Sequence, residues 1–123
     1  MILRRFHMYG LGNAEIKIMK ELWERGDLTA KELACEMGKK CRWNANTTYT
    51  LIKRCTLKGA IERIEPNYIC HAKATKDEVM EEEVNSFMDR FFDGSYDKMF
   101  ASFAGKRNLS EEQVRQLKKI IEG

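Results

Sequence analysis

Three capping boxes punctuate this chain and constrain it to a mainly helical fold. In each box a threonine or serine is followed three residues later by glutamate or glutamine, and the boxes begin at Thr29, Thr75 and Ser110. The two side chains of such a box satisfy free backbone N–H groups at the start of a helix. Only one proline, Pro66, occurs in the 123 residues. The sequence therefore predicts several short helices with defined starts.

Apolar periodicity and glycine stops set the expected helix bounds. Leu28 with Leu33, and Leu109 with Val114, form the hydrophobic staples of the boxes at Thr29 and Ser110. The predicted elements are helix 1 between Gly12 and Gly26, helix 2 over 29–38, helix 3 over 44–58, helix 4 over 75–93, helix 5 over 95–105 and helix 6 from 110 onward.

Two runs rich in β-branched and aromatic residues, 60–65 and 68–72, flank the Pro66-Asn67 pair and predict a β-hairpin. Three helices followed by a hairpin, with a short second helix and a basic third one, is the order of a winged helix-turn-helix. The predicted fold class is therefore mainly α with a small β-hairpin. We assign residues 1–74 to a winged helix-turn-helix domain and residues 75–123 to a second, helical domain.

Charge is distributed unevenly along the chain. Residues 1–73 hold 14 Lys/Arg and 8 Asp/Glu, whereas residues 74–123 hold 8 and 11, although the formal net charge of the whole is only +3. Residues 37–61 contain six cations and no acid. A cationic stretch of this kind is typical of a surface that meets a polyanion such as DNA.

Helix 3 is predicted to be two-faced. At about 100° per residue, Thr48, Leu51, Ile52 and Cys55 fall on one side and should pack inward. The opposite side carries an amide, hydroxyls and cations, the groups that bind base edges and phosphates. It also carries Leu57. We expect this side chain to cover the base of the wing, as the hairpin of residues 60–72 is called in this fold. The DNA-contacting candidates are Arg42, Trp43, Asn46, Thr47, Thr50, Lys53, Arg54, Lys58 and, on the wing, Arg63.

Two roles are open for Trp43, a phosphate contact through its indole N–H or packing between helices 1 and 3. Cys35 and Cys55 are expected on inward helix faces. Cys41, beside Arg42 in a predicted loop, is either an inert surface thiol or a reactive one. Cys70 and His71 are neighbours on a strand and should point to opposite faces.

Several function classes are disfavoured by the sequence. No apolar run approaches the roughly 18 residues of a membrane span, and the start lacks the apolar stretch of a secretory signal. The four cysteines form no Cys-x-x-Cys pair, which argues against a zinc ribbon. No nucleophile–base pair or phosphate-binding loop supports an enzyme. We expect a cytoplasmic protein without membrane insertion, metal or cofactor.

The stretches 11–23, 43–54 and 87–95, together with the ending Leu109-Ser110-Glu111-Glu112, resemble the penicillinase-repressor family (BlaI/MecI type). The resemblance covers about residues 11–122. It implies a winged-helix domain joined to a three-helix dimerisation domain, and a homodimeric repressor of a palindromic operator. In the antibiotic-resistance members of the family a membrane sensor-protease signals, and the repressor is cut within its dimerisation domain.

The resemblance also carries individual positions. The base-contacting positions of the family fall on Asn46, Thr47, Thr50 and Arg54, with Asn46 standing where a lysine is common. The cleaved Asn-Phe bond of the family corresponds to Ser102-Phe103. A copper-responsive branch carries a C-terminal cysteine cluster, and no cysteine follows Cys70 in this chain.

Aromatic and methionine side chains crowd the C-terminal half. About 50 residues are too few to enclose so much apolar surface, so a core shared between two chains is expected. The dimerisation candidates are Val84, Phe87, Met88, Phe91, Phe92, Met99, Phe103, Leu117 and Ile121.

Two other classes of function stay open at this point. One is a winged-helix protein-interaction module that binds no DNA. The other is a thiol-responsive or ligand-responsive regulator, for which Cys41 is the candidate.

Overall fold

The computed structural model describes residues 9–106 and 110–122. Its elements are α1 (Asn13–Arg25), β1 (Leu28–Thr29), α2 (Ala30–Cys41), α3 (Ala45–Leu57), β2 (Ile61–Ile64), β3 (Ile69–Ala72), α4 (Lys76–Phe92), α5 (Tyr96–Lys106) and α6 (Glu111–Glu122). Three helices precede the β2–β3 hairpin, and three more helices follow it. The mainly helical fold with a small hairpin is thus confirmed.

Local capping accounts for most of the helix starts. The Thr29 hydroxyl accepts from the Glu32 N–H at 3.0 Å, and the Glu32 carboxylate accepts from the Thr29 N–H at 2.8 Å. The same reciprocal pair occurs between Thr75 and Glu78 and between Ser110 and Gln113. All three predicted capping boxes are therefore confirmed. The staple partner Leu109 lies outside the described residues.

Two helices run past the glycines that were expected to end them. α2 continues beyond Gly38 to Cys41, and Arg42 then adopts the left-handed conformation with φ 60°. α5 includes Gly105 and extends to Lys106. Glycine inside a helix costs only about 1 kcal/mol, which packing on the same helix can offset. The predicted stops at Gly38 and Gly105 are therefore wrong.

The sheet has a strand that the sequence did not reveal. Its order is β1-β3-β2, with Leu28 opposite Cys70 and Ile61 opposite Ala72. β1 is only two residues long, and Thr29 serves both as a strand residue and as the N-cap of α2. Such a short strand forms by pairing with the free edge of β3, so the sequence of residues 28–29 alone contains no strand pattern that predicts it. Its pairing with β3 ties the α1–α2 connection to the hairpin.

The structure divides into two compact units, of which the first ends at Glu82 and the second begins at Glu83. The predicted domain boundary at residue 74 lies before this division. The core of the first unit is built on Ile18, Leu33 and Ile52, one from each of the first three helices. Val79 of α4 also belongs to this core and is only 3% exposed. The first turns of α4 therefore pack as part of the winged-helix unit.

The second unit has a small core of its own. Met88, Met99 and Phe100 are buried in it, and α5 packs against α6. Its partly buried members are Phe87, Phe92, Tyr96, Phe103, Val114 and Leu117. A core this small leaves several apolar side chains of the unit in contact with solvent.

The packing of Val79 makes a testable prediction about truncation. A chain ending at residue 74 loses this valine, whose burial stabilises by about 1.5–3 kcal/mol, whereas a chain ending at residue 86 retains it. We expect the 1–86 fragment to unfold at a clearly higher urea concentration than the 1–74 fragment and to sediment as a monomer. Val79→Ala in the 1–86 fragment is the matched control and should remove much of the difference. Equal stability of the two fragments would contradict the assignment of Val79 to the first core.

Candidate nucleic-acid interface

α3 is anchored at its start and along one face. The Asn44 side chain caps the helix by accepting from the Thr47 N–H at 2.8 Å. Thr48, Leu51, Ile52 and Cys55 are buried, and the helix packs against α1 and α2. The predicted inward face is confirmed residue by residue. The remaining face is consequently directed away from the core.

The outward face of α3 is polar, cationic and exposed. Its members are Asn46, Thr47, Thr50, Lys53 and Arg54. None of their side chains forms an ion pair or a hydrogen bond with another of the described residues. Free amide, hydroxyl and cationic groups on one helix face are available to a ligand without breaking any contact of the fold.

The connection before α3 carries two more of the predicted contacts. Arg42 takes the left-handed conformation, its N–H donates to the Gly38 carbonyl at 3.2 Å, and its side chain is exposed. The Trp43 side chain is half-buried against the first core. Of the two roles open for Trp43, packing is the one with contacts in the structure.

The wing carries one of the predicted DNA contacts, Arg63. The Arg63 guanidinium lies 3.7 Å from the centre of the Tyr68 ring and pairs with the Glu65 carboxylate. Glu62 is exposed on the same strand. Arg63 is therefore already engaged by Glu65 and Tyr68, two residues of the wing itself.

Lys58 is likewise paired. Its ammonium lies 2.7 Å from Glu15 Oε1 and donates to the Gly10 carbonyl at 2.9 Å. Burial alone raises the pKa of the Glu15 carboxyl, but the hydrogen bonds from Lys58 and from the Gly12 N–H, with the nearby charges of Lys58 and Arg54, outweigh it and lower the pKa. The carboxylate is therefore held in its charged form beside Lys58.

Leu57 does not cover the base of the wing as expected. Its side chain is 81% exposed at the end of α3. It lies on the outward side of the helix, as the periodicity predicts, and has little protein around it because α3 ends there. That expectation is wrong.

The cysteines differ strongly in environment. Burial raises the pKa of the Cys55 thiol to about 12 and that of the Cys70 thiol to about 11. Cys35 is exposed, so its predicted inward position is wrong. Cys41 is the last residue of α2 and partly exposed; it does not lie in a loop. Helix periodicity failed for Cys35 because the core covers a narrower stripe of α2 than its apolar residues suggest.

Cys70 and His71 point to opposite faces, as predicted. Cys70 is buried, whereas His71 is exposed with its Nδ1 2.8 Å from Asp27 Oδ1. Among the described residues there is no cluster of three side chains suited to hold a metal ion. None of the described helices is long and apolar enough to cross a membrane.

The dimerisation candidates of the second unit fall into three groups. Val84, Phe91 and Ile121 are exposed, and Phe91 is 64% so. Phe87, Phe92, Phe103 and Leu117 are partly buried against the core of the unit. Met88 and Met99 are buried inside that core.

Ile120, 76% exposed, is an apolar surface residue that the sequence analysis left out. Its spacing of three from Leu117 was the signal that could have found it. Ser102 and Phe103, the pair aligned with the cleaved bond, lie within α5 and are partly exposed.

The cysteine environments predict an order of modification. At pH 8 a small thiol reagent should label Cys35 first and Cys41 more slowly, because only these two are accessible. Cys55 and Cys70 should react only after unfolding, because burial keeps them as thiols and the thiolate is the reactive form. Mass spectrometry of digested protein after timed labelling measures the order. Cys35→Ser is the control and should remove the fastest phase, and fast labelling of Cys55 in the native protein would contradict the packing of α3.

Comparison with known proteins gives a consistent result. The sequence profile of the penicillinase repressor family matches residues 11–123. The chain is 25% identical over 114 residues to the penicillinase repressor of Bacillus licheniformis, covering 91% of this chain and 89% of that protein. It is 24% identical over 115 residues to the methicillin resistance regulatory protein MecI of Staphylococcus aureus, covering 92% and 94%.

A likeness to a solved structure supports the same fold. The solution structure of the DNA-binding domain of the repressor BlaI superposes with a TM-score of 0.54 at 20% identity, covering 60% of this chain and 93% of that domain. This likeness confirms the predicted winged-helix architecture. Because the family profile matches almost the whole sequence, this chain belongs to the penicillinase repressor family.

Proposed function

We propose that this chain is a transcriptional repressor that binds duplex DNA through the outward face of α3. The observation that carries the proposal is that this face presents unpartnered amide, hydroxyl and cationic groups on a winged-helix scaffold. Curated relatives of similar length are named as repressors or regulators of antibiotic resistance. In a winged helix-turn-helix the third helix enters the major groove.

Ion pairing reduces the number of cations in residues 37–61 that are available to bind DNA. Of the six cations in residues 37–61, three have acidic partners: Lys39 with Glu36, Lys40 with Glu21 and Lys58 with Glu15. The other three, Arg42, Lys53 and Arg54, form no ion pair with another of the described residues. They lie on or just before α3. We infer that these three cations supply most of the electrostatic attraction to DNA.

The side chains between these cations suit base edges. An asparagine such as Asn46 can bind adenine through two hydrogen bonds, and threonine methyl groups such as those of Thr47 and Thr50 can contact thymine. Arg54 can bind guanine or a phosphate. We assign sequence reading to Asn46, Thr47, Thr50 and Arg54, and phosphate binding to Lys53 and Arg42.

We further propose that the second unit forms a homodimer, which would place two copies of α3 on a palindromic operator. Val84, Phe91, Ile120 and Ile121 expose apolar surface on a unit whose own core is small. Covering such surface with the same surface of a second chain is the common solution for a small domain. Two-fold symmetry of the protein then requires two-fold symmetry of the DNA site.

Selection from a randomised palindromic duplex library tests this function. We expect enrichment of one family of sites. Asn46→Ala and Thr50→Ala should each cost about 1–3 kcal/mol at the preferred site and relax specificity there. Lys53→Ala is the control for a phosphate contact and should weaken binding evenly across sequences. Absence of enrichment would contradict the proposal, and equal behaviour of all three variants would show that α3 is not the reader.

We also propose that the repressor is released by cleavage at Ser102-Phe103, with a membrane sensor-protease as the partner. The bond lies inside α5, so cleavage requires local opening of that helix. A cut there would separate α6, with Val114 and Leu117, from the core of the second unit. Loss of that packing would weaken the dimer and its hold on two half-sites.

Intact-mass analysis of the repressor recovered from induced cells tests the cleavage. We expect a fragment ending at Ser102 in induced cells and only the full-length chain in uninduced cells. A full-length chain that has nevertheless left its operator would contradict proteolytic release. Cys41→Ser would then test the thiol-responsive alternative.

A further inference from the structure

The contact between Lys58 and Glu15 joins the end of α3 to the start of α1. The two residues are 43 positions apart in sequence, and Lys58 is the C-cap residue of α3. Glu15 Oε1 accepts from Lys58 Nζ at 2.7 Å and from the Gly12 N–H at 2.7 Å. Lys58 Nζ also donates to the Gly10 carbonyl at 2.9 Å. The ammonium therefore links α3 to both the cap of α1 and the segment before it.

The burial of the two partners is unequal. The Glu15 side chain is 5% exposed, whereas that of Lys58 is 37% exposed. A carboxylate at this depth is stable only while a cation and hydrogen-bond donors face it. Lys58 is the only cation within ion-pair distance of Glu15 among the described residues. The carboxylate thus depends on Lys58 remaining where it is.

Two of the three donor positions of the Lys58 ammonium are occupied by these contacts. Moving the ammonium onto a DNA phosphate would leave Glu15 buried without its counter-charge. Breaking a buried pair in this way costs more than a surface phosphate contact returns. Lys53 lies on α3, before Lys58 in the sequence. Its ammonium can bind a phosphate without breaking an ion pair, because it forms none with a described residue.

We propose that Lys58 and Glu15 form a positioning pair, which holds α3 at a set orientation against α1 and supports DNA binding without neutralising a phosphate. This inference rests on the proposed function. It reassigns Lys58, which the composition of residues 37–61 places among the DNA contacts, to the machinery that orients the reading helix. It also accounts for the presence of an acidic residue close to the proposed DNA-binding face.

The dependence of affinity on salt separates the two roles. Each phosphate neutralised by a protein cation adds about 0.9 to the slope of log affinity against log salt concentration. Binding of a duplex selected from the library is measured by fluorescence anisotropy at several salt concentrations for the full chain and its variants. Lys53→Met is the matched control, since it removes an exposed cation of the same length from the same helix. It should lower the slope by about 0.9 per protomer.

We expect Lys58→Met to weaken binding by about tenfold at every salt concentration while the slope stays that of the unmodified protein. A slope reduced as much as in Lys53→Met would show that Lys58 binds a phosphate and would overturn the proposal. Unchanged affinity would overturn it as well. Circular dichroism at the measuring temperature establishes that the variant is folded.

Glu15→Gln keeps the proposal testable if Lys58→Met does not fold. This change removes a negative charge near the DNA, so simple attraction predicts tighter binding, and a freed Lys58 would steepen the slope. The positioning role predicts weaker binding, by a few fold, with the slope unchanged. Tighter binding would overturn it. If the unmodified protein binds no duplex, the proposed function itself fails, whereas binding with a changed slope in these variants removes the positioning role alone.

Discussion

The burial of one face of α3 is the constraint on which the candidate interface depends. Thr48, Leu51, Ile52 and Cys55 are held in the first core, and the helical period then leaves the other side of the same helix in solvent. Asn44 fixes where the helix begins. Packing and capping together determine which side chains a ligand would meet. The polar face is therefore a consequence of the core.

Ion pairing adds a second level of selection. Half of the cations in residues 37–61 are matched by acids that lie outside that stretch, on α1 or at the middle of α2. The wing neutralises its own arginine with Glu65 and covers it with Tyr68. The remaining three, Arg42, Lys53 and Arg54, lie on or just before α3 and form no ion pair within the part of the chain that the structure describes. A cationic stretch of sequence can thus include cations that are free to bind a ligand and cations that are paired within the fold. Only the residues around each cation in the structure distinguish the two kinds.

The second unit shows the opposite relation between core and surface. Met88, Met99 and Phe100 form a small interior, while Phe91 and Ile120 stand largely in solvent. Methionine and phenylalanine have the size to fill such a core and to extend beyond it. Met88 and Met99 thus fill the core of the unit, whereas Phe91 and Ile120 contribute to its apolar surface. This arrangement gives the proposed dimer its physical basis.

The sequence by itself determined the features that arise from local interactions. The capping boxes at Thr29, Thr75 and Ser110 involve residues three apart, and the two faces of α3 follow from its period, so both could be predicted. The family resemblance and the winged-helix order rest on the same local patterns. These features need no knowledge of what lies across the fold.

Tertiary structure decided what depends on distant neighbours. β1 exists because Leu28 meets Cys70, and α2 passes Gly38 because its packing continues. Lys58 resembles Lys53 in sequence context, yet a carboxylate 43 residues away makes it part of the scaffold. Contacts across such separations have no periodic signature, because the chain brings the two groups together only when the core forms. The physical reason is that charge and burial are properties of a side chain's surroundings in the fold, and a residue's type alone does not specify them.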